Sequence, residues 1–259
     1  MQPPISPILF SVLLFFGMLI MLEIGRHVGA RHRAKESEGD RGSLATIEGA
    51  VFALWGLLMA FTFSGAAGRF NEKRMLISEE VNAVEVAYLR LQLLSPEVRP
   101  ALQELLRQYV DSRVETYRRL PNMQTASMEI AKSKGLQEEI WTEAVAAIRL
   151  PGSHPSAAWV LLPAINNMID ISRTRTMALQ IHPPRIIYLL LFILGLICAL
   201  LAGYRMASAQ RRNWLHILGF ALITVIIVYV MLDIEYPRGG LIHLEAADQL
   251  LVDAQARMK

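Results

Sequence analysis

Two carboxylates, Asp233 and Glu235, follow directly on an apolar run at Leu215–Leu232, and a third, Glu23, closes another at Ile5–Leu22. Carboxylates in such places can hold a cation, line a pore mouth, or pair with a nearby base. Glu23 has Arg26 and His27 at helical spacing, which favours local pairing at the headgroup level. Asp233 and Glu235 have Arg238, or a basic residue of the central segment, as candidate partners. Cation coordination by oxygen needs several carboxylates or carbonyls to converge, and two acidic residues are thin for it. No metal site is expected. Arg69, Lys73 and Arg74 follow the apolar run at 50–68 and mark a bilayer boundary. In a ring of subunits they would also form a basic vestibule that concentrates anions. Asn166, Asn167, Asp170, Arg173 and Arg175 could meet lipid headgroups or a neighbouring subunit, although a solvated, salt-bridged face is the plainer account.

Enzyme chemistry finds little footing. There is no phosphate-binding glycine loop, no zinc-ligand pair at helical spacing and no G-x-S-x-G nucleophile. His27, His32, His154, His182, His216 and His243 are dispersed. Cys198, the single cysteine, lies inside an apolar run, which excludes an intrachain disulfide and a cysteine-based metal site. Neither catalysis nor a cofactor is expected. The formal charge of +3 is slight for 259 residues, and membrane-flanking Lys and Arg explain it better than nucleic-acid binding does.

The elements that would carry these residues are membrane spans. Ile5–Leu22, Ala50–Gly68, Ile186–Gly203 and Leu215–Leu232 are 18 or 19 residues long and free of Asp, Glu, Lys and Arg. Each would be about 27–28 Å as a helix, matching the roughly 30 Å hydrocarbon core. The first lacks a basic n-region and a small-x-small cleavage pattern, so it reads as a retained span. The fold class is therefore all-α: a polytopic membrane protein with four transmembrane helices and a helical extramembrane domain between spans two and three. Residues 1–70 make one transmembrane hairpin, 71–184 the extramembrane domain, 185–235 the second hairpin and 236–259 a C-terminal tail. Eight Lys and Arg in the short loops 23–49 and 204–214 face seven near the membrane on the opposite side, which leaves the orientation open.

The 71–184 segment reads as four helices. Ile77, Val81, Val84, Tyr88 and Leu91 form one apolar stripe on a charged helix continuous with span two. Ser95-Pro96-Glu97 offers an N-cap and a first-turn proline for a second helix, carrying Leu102, Leu105, Tyr109 and Tyr117 and stopped by Pro121. A third covers about 123–149, Pro151-Gly152 breaks the chain, and a fourth runs over about 155–181.

Along span two, Gly49, Ala53, Gly56, Ala60 and Ser64 keep to one face and suit close helix packing. Leu57 and Phe61 stand four apart beside this seam. Rings of them around an axis would make an apolar constriction able to gate ions by dewetting. Periodicity alone does not choose between a packing seam and a ring.

The segment AFTFSGAAGRFNEKR at 60–74 resembles the bestrophin arrangement, with Phe61 eight residues before Arg69 and the pattern Arg69, Phe70, Glu72, Arg74. DIEYPRGG at 233–240 is similar to the acidic-x-x-Pro-x-Gly sequence after the bestrophin fourth span. More closely, the chain resembles a bacterial bestrophin-like membrane family of unknown function through LEIGR at 22–26, EGAVFALWGLLMAFTFSGAA at 48–67, EEVNAVEVAYLRLQLL at 79–94, LLPAINNMID at 161–170 and LAGYRM at 201–206. The resemblance implies a homo-oligomer, pentameric in bestrophins, in the bacterial inner membrane, with span two lining an ion pore and a neck at Ala53, Leu57 and Phe61. Ala53 is smaller than the residue usual there, so the neck would be wider at one level or formed by two rings rather than three. The acidic run of calcium-gated members is replaced here by Gly240-Leu241-Ile242-His243-Leu244, so a calcium clasp of that type is not expected. Two functions follow: an oligomeric ion channel, with inorganic ions and the lipid bilayer as its partners, or a non-conducting, membrane-anchored interaction or sensing protein.

Overall fold

The computed structural model describes residues 6–32, 38–120, 122–207, 214–237, 240–242 and 245–258. Among these residues eight α-helices carry almost the whole chain and no strand occurs. They are α1 (Pro7–His32), α2 (Glu38–Arg90), α3 (Arg99–Arg119), α4 (Met123–Ala147), α5 (Ala157–Ala178), α6 (Arg185–Met206), α7 (Trp214–Glu235) and α8 (Glu245–Arg257). Within α1, α2, α6 and α7 are four stretches long and apolar enough to cross a membrane, with mean hydropathies of 2.4, 1.8, 2.9 and 2.6.

The helices overrun the apolar blocks. α1 continues ten residues past Leu22, and α2 begins twelve residues before Ala50, so the expected 23–49 loop is helical except for 33–37, which lies outside the described residues. Hydropathy marks only what the bilayer covers. Backbone hydrogen bonding carries a helix on until something stops it, and neither segment contains a proline. For the same reason α2 runs unbroken from its apolar half into its charged half, 53 residues in all, or about 80 Å at 1.5 Å per residue.

Contacts divide the chain into two units, one holding residues 70–181 with 241–259, the other residues 3–69 with 182–240. In the first, the charged half of α2 presents the expected stripe, with Ile77, Val81, Val84 and Leu91 buried. It joins a core with Leu102, Leu106, Tyr109 and Val110 of α3, Ile140 and Ala144 of α4, and Leu161, Ile165 and Met168 of α5. The second helix of this unit starts later than expected. A 3-10 turn at Leu91–Leu93 ends α2, and Ser95 does not cap α3. Instead the Arg99 amide donates to the Ser95 carbonyl at 3.2 Å, and its guanidinium closes on the carbonyls of Gln92 and Leu94 at 3.1 and 2.9 Å. Pro100 then occupies the first helical turn, where its missing N–H is no loss. Asn122 caps α4, its Oδ1 accepting the amides of Gln124 and Thr125 at 3.1 and 3.3 Å. Pro121 lies outside the described residues.

The C-terminal residues, read above as a tail, form α8. Leu251, Ala254 and Met258 are buried in the core of the first unit. The Met258 carbonyl accepts from the Tyr88 hydroxyl and from Arg107 Nε, both at 2.7 Å. Gln255 donates to Asp111, and Arg257 pairs with Glu85.

In the second unit α1 lies along α6 and against α7. Glycine makes the α1–α6 approach possible: a Cβ on Gly25 would run into the backbone of Leu200, and one on Gly203 into the backbone of Leu22. Around that contact Leu14, Met18, Leu191, Ala199, Ala221 and Val228 close an apolar core.

Candidate pore-lining face and buried ion clusters

α2 is covered least of the four apolar helices. Only 11% of its most apolar window is buried within the chain, against 28% for α1 and α6 and 39% for α7. The covered edge is narrow, formed by Met59 and Ala66 with Trp55 and Leu58 beside them, and Phe52 meets Phe220 edge-on at 6.2 Å. Every residue of the proposed seam and neck lies on the other side. Gly49, Ala53, Gly56, Ala60 and Ser64 are exposed, and a Cβ added at Gly49 or Gly56 would meet nothing within 4 Å. Leu57 is 52% and Phe61 66% exposed. At about 100° per residue these positions share one half of the helix, Gly49, Gly56 and Ala60 towards one side of Ala53, and Ser64, Leu57 and Phe61 towards the other. Within one chain, then, the seam packs against no helix. Close packing of that kind belongs to α1 and α6, whose small-xxx-small spacings, Gly25 with Gly29 and Gly195, Ala199 with Gly203, carried the signal in the sequence.

Glu235, at the end of α7, has a fully buried side chain. Arg69 grips it through Nε at 3.0 Å and Nη2 at 2.8 Å to the same oxygen, and His182 Nδ1 lies 3.0 Å from the other. The His182 ring stacks on Tyr236 at 4.6 Å. A planar guanidinium forked onto a carboxylate is the geometry that makes Arg suit such a place. Of the partners expected from the sequence, Arg238 lies outside the described residues and a basic residue of the central segment, His182, is in place; Arg69 was there given to the bilayer boundary and, in a ring of subunits, to a vestibule. Within the chain Glu235 takes up the Arg69 guanidinium. Lys73 is also buried and its side chain engaged, so of the three basic residues only Arg74 is exposed. Asp233 is buried too, and its carboxylate occupies the space that a side chain at Gly240 would need, which explains glycine at that place in DIEYPRGG.

Three smaller sites bear on the sequence reading. Glu23 does pair locally, with His27 Nδ1 at 3.4 Å. Asn166 donates to Asp170 at 3.0 Å on an exposed face that also carries Asn167 and Arg173. Arg175 departs from that face and is buried, which corrects its placement among solvated charges.

What Arg175 joins is a cluster the sequence reading missed. Glu80, fully buried, accepts from Arg113 Nε at 2.6 Å with one oxygen and from Arg175 Nη1 at 2.6 Å with the other. Arg175 Nη2 reaches Asp248 of α8 at 2.6 Å, so two cations face two carboxylates. Tyr117 lies beneath both guanidiniums, 3.4 Å from Arg175 and 5.0 Å from Arg113, and Arg113 also donates to its hydroxyl. Burial works against the Glu80 charge, but the two guanidiniums outweigh it and hold this carboxyl below its ordinary range. Burial likewise opposes the charge on Arg113, and Glu80 more than restores it. Burial drives the Tyr117 and Tyr109 phenols upward, so both stay neutral. One signal was available: Glu80 sits between Ile77 and Val84, on the apolar stripe itself.

These features define a helical membrane protein with one span largely uncovered and a tightly ion-paired extramembrane unit. The profile of the bestrophin-like domain matches residues 11–247. The chain belongs to the bestrophin-like family. No curated protein matches it, and no solved structure does.

Proposed function

We propose that this protein is a multi-pass cell-membrane protein that assembles from copies of itself into an ion channel, with α2 lining the path. Leu57 and Phe61 form its apolar neck and Ala53 a wider level above or below them. The observation that carries the reading is the open face of α2. Leu57 and Phe61 turn away from the chain's own core while α1 packs against both α6 and α7. Gly49, Gly56 and Ala60 flank the neck and let a neighbouring copy come close, so one strip serves the contact and the next the axis. Five copies would follow if the resemblance extends to subunit number. The reading assigns no catalysis, cofactor or nucleic-acid partner to the chain.

Rings of Leu57 and Phe61 resist hydration and act as a barrier without any charged gate. Purified protein in planar bilayers is expected to pass current, and Leu57→Ala with Phe61→Ala to pass more by widening the barrier. Silence from both wild type and double variant sinks the channel and leaves a membrane-anchored interaction protein. A monomeric mass in mild detergent, in protein that is still folded, argues against the assembly.

A further inference from the structure

An open groove of about 390 Å³ lies between α1, α6 and the start of α7. It lies beside the close α1–α6 contact, and Gly203, which meets the Leu22 backbone there, is among the residues that line it. Leu19, Leu22, Met206 and Ile217 make its walls, and Trp214 stands at the edge, more than half exposed. Glu23 and Arg26, one helical turn apart, supply its charges. Among the described residues Arg26 forms no ion pair or hydrogen bond through its side chain, whereas Glu23 has His27 beside it and a further interaction as well.

The groove straddles a boundary. The apolar run of α1 ends at Leu22 and that of α6 at Gly203, so its walls belong to the hydrocarbon layer and its charges to the headgroup layer. A tryptophan at the rim suits the same depth. An occupant must therefore be apolar at one end and charged at the other. The charged end must answer an anion-seeking guanidinium and a carboxylate separated by one turn of helix.

We propose that this groove binds a phospholipid with an ethanolamine headgroup, the phosphate on Arg26 and the ammonium on Glu23. A guanidinium matches phosphate oxygens, and a primary ammonium can donate to a carboxylate. A choline headgroup carries the same charge but has no N–H to donate. A glycerol headgroup offers Arg26 the phosphate and leaves Glu23 facing an uncharged group. Glu23 thus sets the headgroup preference, and Arg26 supplies the affinity common to all phospholipids.

The test is native mass spectrometry of the full chain released from nanodiscs of equal parts phosphatidylethanolamine, phosphatidylcholine and phosphatidylglycerol. The expected result is retained phosphatidylethanolamine, preferred over phosphatidylcholine by roughly tenfold, the size one charge-assisted hydrogen bond confers. Glu23→Gln should keep bound lipid and lose the preference, and Arg26→Ala should lose bound lipid of every class. Unfolding midpoints in phosphatidylcholine alone, unchanged from wild type, establish that both variants are folded. If one is not, Glu23→Asp, which keeps the charge and withdraws the carboxylate by one methylene, is expected to weaken the preference and serves in its place. Equal retention of ethanolamine and choline lipids, or glycerol lipid bound as well as ethanolamine lipid, overturns the assignment, as does a preference that survives Glu23→Gln.

Discussion

The extramembrane unit satisfies itself, and the membrane unit does not. In the first, even charges are finished within one chain: Glu80 has a guanidinium on each oxygen, Arg175 reaches on to Asp248, and α8 closes the core. In the second, α1 and α6 meet backbone to backbone, while α2 leaves its small residues and its Leu57–Phe61 pair uncovered. In water such a face would be a liability; in a bilayer it is available to lipid or to another copy. The same signature of small residues at three-four spacing thus has opposite outcomes on α1/α6 and on α2, and only the partner differs.

The largest effect expected is on the self-sufficient side. Glu80→Ala removes the anion and leaves Arg113 and Arg175 facing each other across Tyr117, and loss of one partner from a buried ion cluster costs about 3–5 kcal/mol. Urea unfolding of the purified chain, followed by circular dichroism, should show the loss equally in dilute and concentrated protein, because no second copy takes part. A loss confined to dilute protein would mean that the unit depends on assembly and would break the comparison.

Next comes a pair of identical substitutions on the two kinds of glycine face. Gly25→Ala drives a methyl group into the Leu200 carbonyl and is expected to cost about 1–3 kcal/mol as overpacking. Gly56→Ala meets nothing, and in detergent-dispersed monomer it should gain up to about 1 kcal/mol from lower backbone entropy in the unfolded chain. Thermal unfolding of both variants checks the sign. Destabilisation by both would show that α2 is packed within the chain after all.

Titration approaches Glu80 more gently. Its carboxyl is held below the ordinary value of 4.5 in the folded chain, so the stability it lends is complete above that value. That stability drains away as pH falls from about 4.5 towards the depressed folded value, where protons begin to bind the native state too. The acid limb of an unfolding-midpoint profile should therefore be shallower in Glu80→Gln than in wild type. Parallel limbs would place the acid sensitivity in other carboxylates.

Sequence reached the parts of this molecule that repeat. Apolar runs announced four spans, and Ile77, Val81, Val84 and Leu91 announced the buried stripe of α2, because periodic burial leaves a periodic trace. Helix ends were less legible: Ser95 looked like a cap, yet Arg99 turned its guanidinium onto the preceding carbonyls and shifted the start of α3. The ion clusters were nearly invisible, since Glu80, Arg113, Arg175 and Asp248 are far apart in the chain and, apart from Glu80 on the apolar stripe, each looks like an ordinary surface charge. Arg69 was noticed, but its partner Glu235 lies 166 residues away, and proximity of that range has no local signature. On α2 the small residues were seen, but what covers them is not written in the spacing.

The smallest effect on the chain itself should accompany the largest on its assembly. Gly56→Leu adds a bulky group where a side chain meets nothing, so the stability of the isolated chain is expected to stay within about 0.5 kcal/mol of wild type. If a second copy uses the strip through Gly49, Gly56 and Ala60, the same group prevents its approach, and the oligomer should dissociate. Light scattering coupled to size-exclusion chromatography in mild detergent measures this directly. An oligomer that tolerates Gly56→Leu and Ala60→Leu together would mean that lipid covers the strip, and α2 would then have no neighbour with which to frame a pore. An oligomer lost alongside intact folding would separate the two units as the structure does, one complete by itself and the other completed by its copies.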